Sequence, residues 1–92
     1  MPLAAVFDLP GVTGAQYDAL MRALEARGVG APDGRLCHVA SCAGEGWLVV
    51  DVWESAEQLA RFAPALAAAM RANGIAAAAP RTYAVHNLLG AG

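Results

Sequence analysis

The sequence predicts an α+β domain with a four-stranded antiparallel sheet and two helices packed on one face of that sheet. Three observations support this. Two stretches with the apolar spacing of amphipathic helices alternate with four short apolar runs typical of strands. Each helical stretch begins at a capping-box sequence. Turns rich in glycine or proline separate the elements, so the order along the chain is βαββαβ.

Apolar spacing and turn residues together set the bounds of the six elements. We expect strand one at Leu3–Leu9, helix one at about Gly14–Arg27, strand two at Arg35–Cys42, strand three at Trp47–Glu54, helix two from the Ser55 cap to Asn73, and the last strand at Arg81–Leu89. Right-handed crossovers place both helices on one sheet face, which is the ferredoxin-like arrangement. The other sheet face is then left bare.

Both helices begin with the same capping pattern. The hydroxyl of the first residue accepts a hydrogen bond from a free helix amide, and the glutamine three residues later bonds back to the amide of that first residue. The first box is Thr13-Gly-Ala-Gln16 and the second is Ser55-Ala-Glu-Gln58. Tyr17 begins the apolar stripe of helix one, so we expect it in the core. Pro64 falls inside helix two, where it lacks an amide hydrogen, and we expect a kink or a break there.

Composition excludes several classes of protein. The 92 residues make one domain, 1–92, near the lower end of what supports a core, and 58% of them are apolar, so a homodimer is expected. The net charge of -2 and the absence of lysine argue against nucleic-acid binding. No apolar run is long enough to span a membrane and the N-terminus lacks a signal peptide, so we expect a cytoplasmic protein.

The two cysteines suggest no special chemistry. Cys37 and Cys42 are five apart, a spacing that fits neither a redox motif nor a zinc site. On one strand they would lie on opposite faces, and we expect reduced structural thiols and no metal site.

The hairpin between strands two and three predicts a candidate site. If its loop is Gly44-Glu45, then His38 lies opposite Asp51, and Leu36 lies opposite Trp53. His38, Asp51 and Trp53 would share one face. A histidine held by a carboxylate has a fixed tautomer and the features of a general acid or base. A three-residue loop would break this pairing.

The same register divides the two strands into two faces. We expect the more uniformly apolar set to form the core and the face with His38 to line a cavity; that apolar set is Cys37, Val39, Ser41, Leu48, Val50 and Val52. The alternative is that His38 and Asp51 form a structural pair at a dimer interface and have no catalytic role.

The two tryptophans of strand three are candidate ligand contacts. Trp53 and Trp47 have the orientation of Asp51, so both are candidates to wall a pocket for a flat aromatic ligand. The alternatives are that Trp53 is a core residue and that Trp47 covers a sheet end.

The last strand offers two sets of side chains, of which only one can line the cavity of His38. Tyr83 shares a face with Asn87, whereas His86 lies on the other face. We favour His86 as the residue that lines the cavity with His38, and Asn87 is the more polar alternative.

At this point the chain resembles a known family. The residues that carry the likeness are the joint Val52-Trp53-Glu-Ser-Ala-Glu57, Phe62 and the closing Val85-His86-Asn87, on the βαββαβ order. They resemble the dimeric α/β-barrel superfamily, in its branch of antibiotic biosynthesis monooxygenase-like proteins. The haem-degrading branch pairs such a tryptophan with an asparagine on strand one and a histidine on helix two. Here strand one offers Asp8 and helix two has no histidine, so haem degradation is disfavoured.

The resemblance implies a homodimer that acts on a small aromatic or polyketide-like substrate without metal or cofactor. His38 with Asp51 would take a substrate proton, Trp53 would stack on the ring, and His86 or Asn87 would hold its oxygen-bearing edge. An isomerase or cyclase begins with the same proton abstraction. The alternative to an enzyme is a dimer that binds a ligand without turnover.

Overall fold

A computed structural model describes residues 2–90 and confirms the predicted fold class and element order. The elements are β1 Leu3–Pro10, α1 Gly14–Ala26, β2 Arg35–Ala43, β3 Gly46–Trp53, α2 Ala56–Ala72 and β4 Arg81–Ala84. All strand pairs are antiparallel, and the sheet order is β2-β3-β1-β4. Each helix crossover skips one strand, and both helices pack on one face of the sheet, as in the ferredoxin-like arrangement. Within residues 2–90, neither helix is long and apolar enough to cross a membrane.

The β2–β3 hairpin has the predicted two-residue loop. Ala43 pairs with Gly46, and Gly44 has a φ of +60°, whereas among residues 2–90 no residue other than glycine has a positive φ. A left-handed φ at the first loop position alone is typical of a type II′ turn, whose twist matches that of paired strands. The turn confirms the pairing of His38 with Asp51.

A β-bulge changes the register at the start of β2. The pairing shifts between Arg35 and Cys37, so that Arg35 lies opposite Trp53. The prediction that Leu36 lies opposite Trp53 is therefore wrong, because Leu36 is the extra residue of the bulge. Alternation without a bulge would put Arg35 and His38 on opposite faces, whereas the bulge puts both on the same face.

The capping boxes form to different extents. At α1 the box is complete: the Gln16 amide donates to the Thr13 hydroxyl, 3.1 Å, and the Thr13 amide donates to the Gln16 side chain, 3.0 Å. At α2 the Ser55 hydroxyl accepts from the Gln58 amide, 3.3 Å, but the Gln58 side chain bonds to the Ser55 hydroxyl rather than to its amide. Helix α2 continues through Pro64 without a break.

The helices cover the sheet face that carries His38 and Asp51. The core there consists mainly of Ala5, Phe7, Leu9, Val49 and Trp53 from the sheet and Leu20, Leu24, Phe62, Ala69 and Met70 from the helices. The face expected to be core is instead the bare one, and Val39 on it is 51% exposed. Strand alternation decides which residues share a face, but the helix packing decides which face is covered.

The last strand is shorter than predicted. It ends at Ala84, opposite Leu3, where β1 begins, so that the residues beyond it have no strand to pair with. One further backbone bond joins the Val85 amide to the Pro2 carbonyl, 3.1 Å. His86 and Asn87 follow outside the sheet, both exposed.

Candidate active site

An apolar cavity between the sheet and the helices contains four polar side chains, Tyr17, Arg35, His38 and Asp51. Its other walls are Phe7, Leu9, Leu20, Met21, Leu24, Val49, Phe62, Leu66 and Met70. The free volume is about 30 Å³, which is room for about two water molecules. Polar groups in such surroundings interact strongly because little water screens them.

Asp51 and His38 form a hydrogen-bonded pair inside the protomer. The distance from His38 Nδ1 to Asp51 Oδ1 is 2.5 Å, and the two side chains are 21% and 4% exposed respectively. A carboxylate this buried requires a donor. Since both residues lie on the helix-covered face, the pair is not at the bare face where two sheets would meet.

Tyr17 extends this pair into a chain of three side chains. Its hydroxyl lies 2.6 Å from His38 Nε2. With Nδ1–H donating to Asp51, a neutral His38 leaves Nε2 as an acceptor, and the Tyr17 hydroxyl donates to it. The Tyr17 ring also stacks on Trp47, with ring centroids 5.7 Å apart. A phenol, an imidazole and a carboxylate thus form one hydrogen-bonded chain.

The environment of Tyr17 keeps its hydroxyl protonated. Burial raises the pKa of Tyr17 above its ordinary value of 10.0, and the Asp51 charge raises it further, whereas the Arg35 charge lowers it. The net direction is upward because burial is the largest of these effects. Tyr17 is therefore a hydrogen-bond donor at neutral pH.

Arg35 brings a positive charge to the same cavity. Its guanidinium Nη2 donates to the Gly30 carbonyl, 3.0 Å. Within residues 2–90, no carboxylate lies within ion-pair distance of this guanidinium. The bulge at Leu36 is what turns Arg35 to the helix side, as bulges beside active sites often do.

The two tryptophans lie near the cavity but do not line it. Trp53 is fully buried and packs on Phe62, with ring centroids 5.5 Å apart, so no ring surface is open to a ligand. Trp47 packs on Tyr17 instead. Among the described residues, neither indole N–H has a hydrogen-bond partner, although both nitrogens are buried. Trp53 is therefore a core residue, and Trp47 packs against the Tyr17 ring.

The candidates on the last strand lie away from the cavity in this protomer. Tyr83 pairs with Ala4 on the bare face and is 55% exposed. His86 and Asn87 are exposed beyond the end of β4, so strand alternation does not apply to them. The structure does not bring His86 to His38.

Sequence reasoning missed Tyr17 and Arg35 as site residues. Tyr17 had a weak signal, since it places a hydroxyl on the otherwise apolar stripe of α1, one turn after the cap. Arg35 had no signal, because a strand without a bulge would direct it to the opposite face. Both assignments needed the tertiary structure.

A larger apolar cleft adjoins the cavity. Its volume is about 290 Å³, close to the roughly 300 Å³ at which small-molecule sites begin. The cleft lies between α2 and the alanine-rich segment before β4, and Phe7, Leu66 and Met70 line both the cleft and the inner cavity. Leu66 and Met70 thus separate the inner polar groups from an outer apolar surface.

No group of three or more metal-ligating side chains occurs in the part of the chain that the structure describes. Cys37 and Cys42 are free there and pair with Val52 and Trp47 respectively, which puts them on opposite sheet faces as predicted.

The fold and this site define a ferredoxin-like α+β protein with a chain of three hydrogen-bonded side chains, Tyr17, His38 and Asp51, between the sheet and the helices. Neither a protein-family model nor a curated protein matches the chain. Among solved structures, the chain is similar to one from Chloroflexus aurantiacus J-10-fl that carries a provisional designation as an antibiotic biosynthesis monooxygenase. The TM-score is 0.69 at 20% identity, over 100% of both chains. This likeness confirms the fold, which is the one that the sequence resemblance implied.

Proposed function

We propose that this protein is a proton-transfer enzyme that resembles cofactor-independent monooxygenases and acts on a small aromatic or polyketide-like substrate. The observation that carries the proposal is the chain of hydrogen bonds Tyr17–His38–Asp51 in the wall of an apolar cavity. A histidine oriented by a buried carboxylate is a typical general base. The designation of the similar solved structure favours oxygenation over other outcomes of the same first step.

The geometry supports a simple first step. Neutral His38 takes a proton from a position next to a substrate carbonyl, and Asp51 stabilises the imidazolium through Nδ1–H. The Tyr17 hydroxyl already occupies Nε2, so either this hydroxyl rotates towards the substrate or it passes its own proton to Nε2 and takes that of the substrate. In both cases an electron-rich substrate anion is left beside a neutral phenol.

The fate of the anion decides the reaction class. An anion that meets dioxygen is oxygenated, whereas reprotonation at another atom gives an isomer, and attack within the substrate gives a ring. Trp53, His86 and Asn87 take no part in the hydrogen-bonded chain, since none of them lines the cavity among residues 2–90.

The substrate must fit through a narrow space. A cavity of about 30 Å³ does not hold an aromatic ring, so Leu66 or Met70 moves aside when a ring enters from the outer cleft. Methionine has three rotatable bonds and adapts readily to such changes. The proposed substrate therefore has a flat apolar body and one polar edge.

The proposal is tested by dioxygen uptake with an anthrone-like substrate in wild type and His38→Gln. Glutamine keeps a donor for Asp51, whereas removal of the side chain would leave the carboxylate buried and unpaired. Because glutamine cannot take a proton, we expect uptake to fall by a factor of about 100 or more, the usual contribution of a general base.

His86→Gln is the matched control, since it changes the other histidine, which is exposed outside the cavity. We expect it to keep wild-type uptake. Uptake unchanged in His38→Gln would refute the base assignment. A wild type that binds the substrate and exchanges its acidic proton without consuming dioxygen would favour an isomerase or cyclase, and binding without exchange would favour a ligand-binding protein.

A further inference from the structure

We propose that Tyr17 and Arg35 together bind the oxyanion of the ligand, so that this site takes an acidic enol or phenol and holds it as its conjugate base. The inference rests on the proposed function in one respect, that His38 is the group that receives the proton. It adds the chemical class of the ligand and the two residues that select it.

The first support is the charge in the cavity. The Asp51 carboxylate accepts a hydrogen bond from His38, whereas the Arg35 guanidinium donates to a carbonyl and, within residues 2–90, contacts no carboxylate. A partly buried cation that contacts no carboxylate is a favourable partner for a ligand anion. The guanidinium group has several N–H donors in one plane, which suits the oxygen-bearing edge of a planar ligand.

The second support is geometric. The bulge at Leu36 directs Arg35 to the helix-covered face, where it lines the same cavity as Tyr17. The Arg35 charge lowers the pKa of Tyr17, against the larger effect of burial. A register without the bulge would leave the cavity without a cation.

The third support is the balance of protons and charge. Before transfer the site holds Arg35 and Asp51 as a cation and an anion, with Tyr17, His38 and the ligand neutral. When the O–H or C–H bond of the ligand breaks, an N–H bond forms at His38 Nε2, and the pair of electrons stays on the ligand oxygen. The charges of His38 and the ligand cancel, and the Tyr17 hydroxyl is released from Nε2 as an acceptor to donate to the new oxyanion.

The apolar walls narrow the ligand class further. Nine of the thirteen lining residues are apolar, so the body of the ligand is uncharged and a single acidic edge meets Tyr17 and Arg35. Among the described residues that line this cavity, Arg35 is the only arginine or lysine, which does not suit a polyanion such as a nucleotide.

The test uses p-nitrophenol, whose phenolate has an absorption band of its own. At a pH where most of the free probe is protonated, we expect wild-type protein to raise the phenolate absorbance of the bound probe. Arg35→Gln should weaken phenolate binding by about tenfold or more, since a hydrogen bond to a charged group contributes at least that factor. Tyr17→Phe should weaken it by a smaller factor, and Arg35→Lys should retain part of it.

Two controls make the result specific. Arg22→Gln changes an exposed arginine of α1 outside the cavity and should bind the phenolate like wild type. The neutral isostere p-nitroanisole should bind wild type and Arg35→Gln equally. Circular dichroism checks that each variant is folded.

A bound probe with the spectrum of the neutral phenol in wild type would overturn the inference, and this readout needs no variant to fold. Equal phenolate binding by wild type and Arg35→Gln would also overturn it. If phenolate binding depends on Arg35 but the protein takes up no dioxygen, the inference holds and the proposed oxygenation is wrong. If dioxygen uptake depends on His38 but no phenolate binds, the proposed oxygenation holds and the inference is wrong.

Discussion

At the scale of single residues, the site depends on three side chains that satisfy one another. Asp51 is buried and accepts from His38, and His38 accepts from Tyr17. Removal of one partner from a buried charged pair typically destabilises a protein by about 3–5 kcal/mol, because the remaining charge stays buried. Substitutions that keep a donor for Asp51 therefore separate chemistry from stability.

The raised pKa of Tyr17 predicts a loss of stability in alkali. Below about pH 10 the phenol is neutral in both the folded and the unfolded chain. Above that pH the unfolded chain releases its proton first, so it binds fewer protons than the folded one and the free energy of unfolding falls as the pH rises. Urea unfolding at about pH 9 and about pH 11 should show a smaller fall in Tyr17→Phe than in wild type.

Tyr83→Phe is the control, since Tyr83 is exposed on the bare sheet face. It should show the same fall as wild type. If Tyr17→Phe lost as much stability in alkali as Tyr83→Phe does, burial of the Tyr17 phenol would have no energetic consequence.

At the scale of elements, the start of α1 positions the phenol. The Tyr17 amide donates to the Thr13 carbonyl, 3.0 Å, within the first turn, and the complete capping box holds that turn. The bulge of β2 positions the Arg35 side chain in the same way. Two local backbone features thus direct two polar side chains into one cavity.

Loss of the cap should weaken α1. We expect Thr13→Ala to lower the free energy of unfolding by about 1 kcal/mol, since it removes the acceptor of the Gln16 amide. Thr13→Ser keeps the hydroxyl and should stay within about 0.5 kcal/mol of wild type. Chemical denaturation measures both. Equal losses in the two variants would show that the cap hydroxyl does not stabilise the helix.

At the scale of the whole molecule, the helices pack on one sheet face and leave large side chains of the other face exposed, although Val52 on that other face is buried. Val39 and Tyr83 on this face are 51% and 55% exposed, and 92 residues bury a comparatively small core. An exposed apolar sheet face commonly marks an interface between chains. We propose that two copies pack these faces together, as the resemblance to α/β-barrel dimers implies.

Static light scattering at micromolar concentration tests this dimer. We expect wild type to have the mass of two chains, and Val39→Glu to shift it towards one chain because a buried unpaired charge opposes association. Leu89→Glu is the control: it changes a residue that is 83% exposed outside the sheet and should leave the mass unchanged. A folded wild-type monomer would exclude the dimer.

Local signals in the sequence determined the order of elements, the first cap, the two-residue hairpin loop and hence the pairing of His38 with Asp51. Turn chemistry and strand alternation act between near neighbours in the chain, so a single sequence contains them. Three features became known only from the packing of the folded chain: the sheet face that the helices cover, the bulge that redirects Arg35, and the hydrogen bond between the Tyr17 hydroxyl and His38 Nε2. These depend on how distant elements pack, and both sheet faces carry enough apolar residues for the helices to cover either one.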